Sequence, residues 1–215
     1  MTITNFAIIA ICGYLLGSLS FAIIVSKLTL GKDIRDYGSG NAGLTNSYRT
    51  MGGKKTLLVL LGDIGKGAAA VAIGALLGGP VGKLIGGIFV ILGHMFPLYF
   101  GFRGGKGVLV GATMLALFDW RVFCIAIGLF FVSVILTRWV SLGSILGAIS
   151  FPITTYLFYH DPVLTAMAFG MAAAVIFMHR ANIGRILTGT ENRFSFKSKK
   201  TIETDESKTK REGKT

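Results

Sequence analysis

Residues 4–28 read TNFAIIAICGYLLGSLSFAIIVSKL and contain one charged side chain, that of Lys27. A helix of about 20 apolar residues crosses the hydrocarbon core of a bilayer, so this stretch is long enough to span a membrane. Gly17 and Ser18 interrupt its apolar face. Because no basic region precedes it and no small-residue cleavage pattern follows it, the sequence predicts a retained helix and not a removed signal peptide.

Comparable apolar runs recur along the rest of the chain, at about 56–77, 81–100, 120–136, 140–159 and 162–178, with a shorter one at 108–118. Only 15% of the residues are charged, against roughly 25% in a soluble domain. A backbone in lipid must satisfy its own hydrogen bonds. The sequence therefore predicts an all-α polytopic membrane protein with seven transmembrane helices. The fourth, at 108–118, would be only about 17 Å long and could instead be a half-span, which would make the count six.

The distribution of basic residues predicts the orientation. Of the 22 lysines and arginines, 19 lie in the segments 27–55, 101–107 and 137–141 and in the polar stretch after residue 178. Cytoplasmic segments are enriched in these residues, so we expect the N-terminus outside and the C-terminus in the cytoplasm. Residues 1–192 would form one membrane domain. Residues 193–215 hold eight basic and four acidic side chains, which predicts a disordered, solvated tail or one weakly attracted to anionic lipid.

A polar, glycine-rich segment, RDYGSGNAGLTNSYR at 35–49, separates the first two apolar runs. Its glycines let consecutive N–H groups turn toward one centre, and its polar side chains add donors. Arginines at both ends supply positive charge. A bound phosphate or similar anion is therefore predicted, with these candidates: Gly38, Ser39, Gly40, Asn41, Gly43, Thr45, Asn46, Arg49 and Arg35. The match to G-x-G-x-x-G is judged accidental, because no strand precedes it.

Two further polar segments carry candidate residues. The segment GFRGGKG at 101–107 resembles a phosphate-binding loop, but Phe100 and Gly107 break the Walker pattern. What remains is a glycine turn that could approach an anion, with Lys106 as a mobile charge; an ordinary basic turn is the alternative. The segment from residue 179 could form a short interfacial helix. Glu191 has Arg185 and Arg193 nearby, so a salt bridge that shapes the pocket is favoured over a role as general base.

Under the predicted topology these three segments reach the same face, which favours a single cytoplasmic pocket. His94 and His179 also lie there, and each could be simply a partnered polar group. Asp63 and Lys66 are three residues apart within a span and could form an ion pair. That pair is either functional or structural, pinning its helix to the polar loop. No metal-ligand pattern occurs, so we expect no metal, and the two cysteines are expected to be free thiols.

Three motifs together resemble the bacterial acyl-phosphate:glycerol-3-phosphate acyltransferase family. They are GSGNAGLTN at 38–46 with Arg49, GHMFP at 93–97 continuing into GGKG at 104–107, and HRANIGR at 179–185 running to GTE at 189–191. The chain departs from the family pattern at Leu44, at Arg103 and at residues 109–110. The resemblance covers most of the chain up to about residue 193.

The resemblance implies transfer of a fatty acyl group from acyl phosphate to the 1-hydroxyl of sn-glycerol 3-phosphate, giving 1-acylglycerol 3-phosphate and phosphate. It implies a seven-helix enzyme of the bacterial cytoplasmic (inner) membrane, with a cytoplasmic active site. We expect a monomer among membrane lipids, with no cofactor and no nucleic-acid partner.

The residues expected in catalysis are Ser39, Arg49, Lys106, His179 and Asn182. Those expected to bind substrate are Gly38, Gly40, Asn41, Gly43, Thr45, Asn46, His94, Gly104, Gly105, Gly107, Arg185 and Glu191. Residues 39–41 would cradle acyl phosphate, and Lys106 with Arg49 would hold glycerol 3-phosphate. Direct attack by the glycerol 3-phosphate hydroxyl is favoured over a covalent route through Ser39. The covalent route needs a base held against the Ser39 hydroxyl, and no histidine or carboxylate is obviously suited to that role.

The competing interpretation is a transporter of a small organic phosphate, which basic loops and broken helices would also suit. Transporters often carry paired repeats, and the 35–49 pattern has no second copy in the sequence. Seven spans also divide poorly into two equal repeats. A lipid-binding structural protein, a third class, would leave the dense clusters of donors unexplained.

Overall fold

The computed structural model describes residues 1–195, and the regular structure of that part of the chain is helical throughout. The predictions for the tail at 193–215 therefore concern residues that lie mostly outside the described part of the chain. Short 3-10 turns at Ile34–Asp36 and Leu98–Phe100 accompany the α-helices. These are α1 (Ile3–Gly17), α2 (Phe21–Leu30), α3 (Leu44–Met51), α4 (Gly53–Met95), α5 (Val108–Phe118), α6 (Trp120–Thr137), α7 (Val140–Tyr159), α8 (Pro162–Met178) and α9 (Arg180–Leu187).

The prediction of an all-α membrane protein is confirmed. Within residues 1–195, four helical segments are long and apolar enough to cross a membrane: Ile3–Leu30, Gly53–Phe100, Trp120–Thr137 and Val140–Tyr159. Helices α8 and α9, which meet at a bend of 60°, are long and apolar enough only when they are taken together. Helix α5 is apolar but has only 11 residues, as its sequence predicts.

Helix α4 is a hairpin of two helical arms. Gly79 has φ 57° and ψ −142°, a conformation open to glycine, and Pro80 begins the second arm. A Cβ on Gly86 would lie 2.4 Å from the carbonyl oxygen of Ala70, whereas these residues would be about 24 Å apart in a straight helix. The arms at 53–78 and 80–95 are therefore antiparallel, and they correspond to the two apolar runs expected there.

The first apolar run is broken, which corrects the expectation of one continuous helix over residues 4–28. Helix α1 ends at Gly17 and α2 begins at Phe21. A Cβ on Gly17 would lie 2.2 Å from the carbonyl oxygen of Val90, so α1 packs directly on the second arm of α4. Lys66 Nζ donates to the carbonyl oxygens of Gly17 and Leu19, at 3.2 and 2.7 Å. These long-range bonds replace helical ones at the break.

The remaining helices enclose the space beside α4. Helix α5 packs on α4, and α6, α7 and α8 follow side by side. One hydrophobic cluster joins α4, α5, α6, α7 and α8. Two of the polar segments contain helices, since 27–55 includes α3 and the segment after residue 178 forms α9. Helix α9 was predicted from its sequence, whereas α3 was not.

Candidate active site

A cavity of about 650 Å³ lies between α3, α4, α5, α6, α7, α8 and α9. The three polar segments meet at one end of it, and apolar side chains line the rest. Of the 17 residues predicted at the site, 14 line this cavity. They are Ser39, Gly40, Asn41, Gly43, Thr45, Asn46, Arg49, His94, Lys106, Gly107, His179, Asn182, Arg185 and Glu191.

The other three predicted residues, Gly38, Gly104 and Gly105, lie behind the cavity lining. A Cβ on Gly105 would be 2.1 Å from His94 Nε2, and one on Gly104 would be 2.0 Å from the His94 carbonyl oxygen. Gly38 has φ 63° and lies against the side chain of Asn46. A side chain at any of these three positions would collide with neighbouring residues of the protein. Close packing therefore accounts for the three glycines, and no contact with a substrate is needed to explain them.

The glycine-rich loop before α3 is held by Asn46. Asn46 Oδ1 accepts from Ser39 N at 2.9 Å, and Asn46 Nδ2 donates to Tyr37 O at 3.0 Å. Gly40 N also donates to Tyr37 O, at 3.1 Å. The N–H groups of Ser39 and Gly40 therefore serve the loop itself, which corrects the expectation that they point at a bound anion. Gly43 and Thr45, at the N-terminus of α3, line the cavity, where helical N–H groups lack intrahelical partners.

Arg35 lies outside the cavity lining, contrary to the expectation that it could supply substrate-binding charge. Its Nε and Nη2 donate to Asp33 at 3.0 and 2.9 Å, and its Nη1 donates to Phe100 O at 2.7 Å and Arg103 O at 3.0 Å. The hydrogen bond from Arg35 lowers the pKa of Asp33 to about 2. Arg35 therefore ties the first polar segment to the second.

Lys106 begins a hydrogen-bonded network that joins the second and third polar segments. Its Nζ donates to Asn182 Oδ1. Asn182 Nδ2 donates to Glu191 Oε1 at 2.7 Å, and Arg185 Nε lies 2.8 Å from Glu191 Oε2. The predicted salt bridge of Glu191 is confirmed, with Arg185 as the partner. Ser141 Oγ also donates to Glu191, at 2.9 Å. Sequence reasoning missed Ser141, because nothing near it in an apolar helix marks it as functional.

The network perturbs both of its central ionisable groups. Burial lowers the pKa of Lys106 to about 8, although the Glu191 carboxylate opposes this. Burial alone would raise the pKa of Glu191, but hydrogen bonds from Asn182, Ser141 and Arg185 outweigh it and hold that pKa below its ordinary value. Glu191 therefore remains an acceptor at neutral pH, and Lys106 carries a positive charge that can be lost in mildly alkaline solution.

His179 is buried at the bend between α8 and α9. Its Nδ1 lies 2.8 Å from the carbonyl oxygen of Val175. Because a carbonyl oxygen only accepts, Nδ1 must carry the proton, and Nε2 of the neutral ring is an acceptor. The ring is thus oriented by helix α8 and has one nitrogen available for proton transfer.

A second charged cluster is buried next to the cavity. Lys66 Nζ lies 2.8 Å from Asp63 Oδ1 and 3.0 Å from His94 Nδ1. The predicted ion pair between Asp63 and Lys66 is confirmed. Lys66 also binds the carbonyl groups at the break between α1 and α2, so the pair is anchored there and not on the polar loop.

The chain remains in contact with the helices after Glu191. Phe194 lines the cavity, and its N–H donates to the carbonyl oxygen of Arg138 at 2.7 Å. Its ring centroid lies 6.2 Å from that of Tyr48 on α3. Contacts with the helices thus continue past residue 192, where the domain was expected to end. Within residues 1–195, no group of three or more histidine, cysteine or carboxylate side chains is placed to hold a metal ion.

Comparison with known proteins identifies relatives over nearly the whole helical region. Residues 7–189 match the family model described as glycerol-3-phosphate acyltransferase. A glycerol-3-phosphate acyltransferase of Chlorobaculum tepidum is 40% identical, covering 89% of this chain and 97% of its own length. One from Bacillus subtilis is 40% identical, covering 86% and 95%.

A solved structure has the same fold. The crystal structure of PlsY (YgiH), an integral membrane glycerol 3-phosphate acyltransferase in its glycerol 3-phosphate form, superimposes with a TM-score of 0.83 at 35% identity. The alignment covers 88% of this chain and 96% of that protein. The lysophosphatidic acid form of PlsY gives a TM-score of 0.80 at 33% identity. On the evidence of the motifs, the fold and these relatives, the chain belongs to the glycerol-3-phosphate acyltransferase family.

Proposed function

We propose that this protein transfers an acyl group from acyl phosphate to the 1-hydroxyl of sn-glycerol 3-phosphate, the first acylation of phospholipid synthesis. The observation that carries the proposal is the composition of this cavity. Its polar end holds Arg49 and Lys106, which suits two phosphate groups. Its remainder is apolar, which suits a fatty acyl chain. The names of the relatives supply the acyl acceptor.

In the proposed arrangement, Lys106 and Arg49 bind the phosphate of glycerol 3-phosphate, and Asn182 orients its glycerol. Acyl phosphate lies with its phosphate near Ser39 and the N-terminus of α3, where side-chain and backbone donors face the cavity. Glu191 and Arg185 act through Asn182, because they bond to it or to each other and hold it in place. Thr45, His94 and Gly107 complete the wall of the polar end.

The proposed chemistry is direct acyl transfer. The 1-hydroxyl oxygen attacks the acyl carbonyl carbon, and the bond from that carbon to the phosphate oxygen breaks, so that phosphate leaves with the bonding electrons. The proton goes to His179 Nε2 or to a phosphate oxygen of a substrate. Positioning and electrostatic stabilisation supply most of the acceleration. Within the described residues no base is hydrogen-bonded to the Ser39 hydroxyl, which favours this route over a covalent one.

We also propose that the chain crosses the cytoplasmic membrane of a bacterium seven times and acts as a monomer. The two arms of α4 would count as separate spans, and α5 would be a short one. The concentration of basic residues beside the polar end of the cavity supports a cytoplasmic active site. No metal or cofactor is proposed, since positioned hydrogen-bond donors and cations suit the charges of both substrates.

The test is identification of the product by mass spectrometry. Purified protein in detergent is incubated with labelled glycerol 3-phosphate and either palmitoyl phosphate or palmitoyl-coenzyme A. We expect labelled 1-palmitoylglycerol 3-phosphate with the acyl phosphate donor and none with the thioester. Product from the thioester alone would overturn the proposed donor. A folded protein that gives no product from either donor, but takes up glycerol 3-phosphate when reconstituted in proteoliposomes, would instead be a transporter.

A further inference from the structure

Helix α7 lines the cavity with small side chains over most of its length and with a large aromatic one at the far end. The lining positions share one face of the helix. Ser141 bonds to Glu191 at the polar end, and at about 1.5 Å per residue Phe151 is about 15 Å further along the axis. In order the lining residues are Val140, Ser141, Gly143, Ser144, Gly147, Ala148 and Phe151.

Large side chains of neighbouring helices lie beside Phe151. Met171 of α8 and Phe123 of α6 line the cavity, and Met171 and Phe151 belong to one hydrophobic cluster, against which Phe123 packs. On these two helices large side chains also line the cavity nearer its polar end, such as Met178 and Phe130. The room for an acyl chain therefore lies along the small side chains of α7, and Phe151 stands at its far end.

Phe151 is backed by fixed side chains. It is only 3% exposed, and its ring meets that of Phe118 edge to face, with centroids 6.4 Å apart. The Phe118 ring in turn lies 5.4 Å from that of Tyr159, whose hydroxyl donates to Asp119 Oδ2 at 2.7 Å. A densely packed aromatic group of this kind leaves little room for an added methylene group of a neighbouring chain.

We propose that Phe151 is the floor of the acyl slot and sets the upper length of the acyl chain that this protein transfers. The proposal rests on the proposed function, because it concerns the donor of that reaction. An acyl chain that starts at the polar end runs along Ser144 and Ala148 toward Phe151. A chain longer than the slot must displace the aromatic group or bend, so it loses contacts that a shorter chain keeps.

The test measures kcat/KM for lauroyl, palmitoyl, stearoyl and arachidoyl phosphate. In Phe151→Ala we expect the ratio for arachidoyl over palmitoyl phosphate to rise at least about fivefold, as expected for added space in an apolar pocket. In Ala148→Phe, which fills the middle of the slot, we expect the ratio for palmitoyl over lauroyl phosphate to fall by a similar factor. Phe169→Ala is the matched control, because Phe169 on α8 is 67% exposed and lies outside the cavity lining.

Unchanged ratios in active Phe151→Ala and Ala148→Phe would overturn the proposal and indicate that the acyl chain leaves the cavity sideways into lipid. If Phe151→Ala does not fold, Phe151→Leu removes less volume and must shift the ratio in the same direction. If the wild-type protein transfers none of the four acyl groups, the proposed function itself fails. The two failures are therefore distinguished by the wild-type measurement.

Discussion

Two lysines at the polar end of the molecule have opposite surroundings. Lys66 is almost fully buried, and its Nζ contacts Asp63, His94 and the carbonyl oxygens of Gly17 and Leu19. An ammonium group has three protons to donate, so Lys66 has none left for a ligand. The protein itself therefore supplies every hydrogen-bond acceptor that Lys66 can use, before any substrate binds.

Lys106, in contrast, is half-buried and lines the cavity. Over the part of the chain that the structure describes, its Nζ has one hydrogen-bond acceptor, the neutral amide oxygen of Asn182. Two of its protons therefore remain for a bound phosphate. The comparison teaches that burial and charge alone do not identify a functional lysine, and that the number of donors already used by fixed acceptors does.

The largest effect is expected when Lys66 is replaced. Lys66→Met leaves Asp63 buried without its cation and frees the carbonyl groups at the break between α1 and α2. Losing one partner of a buried ion pair costs about 3–5 kcal/mol, so we expect a large fall in the midpoint of thermal unfolding in detergent. Lys83→Met is the control, because the Nζ of Lys83 makes a single hydrogen bond within residues 1–195, to Leu117 O at 3.3 Å.

A double variant sharpens this result. If Asp63→Asn is added to Lys66→Met, no buried charge is left unpaired, so part of the lost stability should return. If Lys66→Met and Lys83→Met unfold at the same midpoint, the contrast drawn between Lys66 and Lys106 is wrong. That result would mean that Lys66 does not hold the helices together.

Replacement of Lys106 should leave the fold intact and abolish activity. Lys106→Met removes a cation from the proposed phosphate site, and removal of one such stabilising group costs about 100- to 1,000-fold in rate. We expect kcat/KM for glycerol 3-phosphate to fall by that factor with little change in the unfolding midpoint. Lys54→Met, at an exposed lysine outside the cavity, should change neither quantity. Equal losses of stability in Lys66→Met and Lys106→Met would contradict the distinction.

A smaller effect is expected from pH. Because the pKa of Lys106 is about 8, raising the pH removes its charge, while the phosphate of glycerol 3-phosphate, with a second pKa of about 6, stays mostly doubly ionised. The KM for glycerol 3-phosphate should therefore rise about tenfold between about pH 7 and about pH 9. In Lys106→Arg the guanidinium stays charged, so this rise should disappear. Parallel curves for both proteins would assign the pH dependence to another group.

The sequence was sufficient to predict features that depend on local patterns. Length and hydropathy indicate the membrane helices, the short α5 among them. The spacing of residues 179–185 indicates α9. The expectation that three polar segments form one pocket followed from the charge bias, and these segments do line one cavity.

Features that depend on distant contacts could not be predicted. The break between α1 and α2 exists where Lys66, nearly 50 residues away, binds the freed carbonyl groups. Helix α3 interrupts a polar segment that reads as a loop, and Asn46 organises that loop from within the helix. Ser141 joins the site only because α7 passes beside Glu191. Arg35 and Gly105 looked suitable for phosphate, yet Arg35 binds carbonyl groups and Gly105 packs on His94.

The most direct test of the account is phosphate release from palmitoyl phosphate as the concentration of glycerol 3-phosphate is raised, measured for wild-type protein and for Lys106→Met. The account predicts release that depends on glycerol 3-phosphate in the wild type and is almost absent from the folded variant. Rapid release by the wild type without glycerol 3-phosphate, unaffected by Lys106→Met, would contradict it. That result would mean that the cavity hydrolyses acyl phosphate without an acceptor held by Lys106.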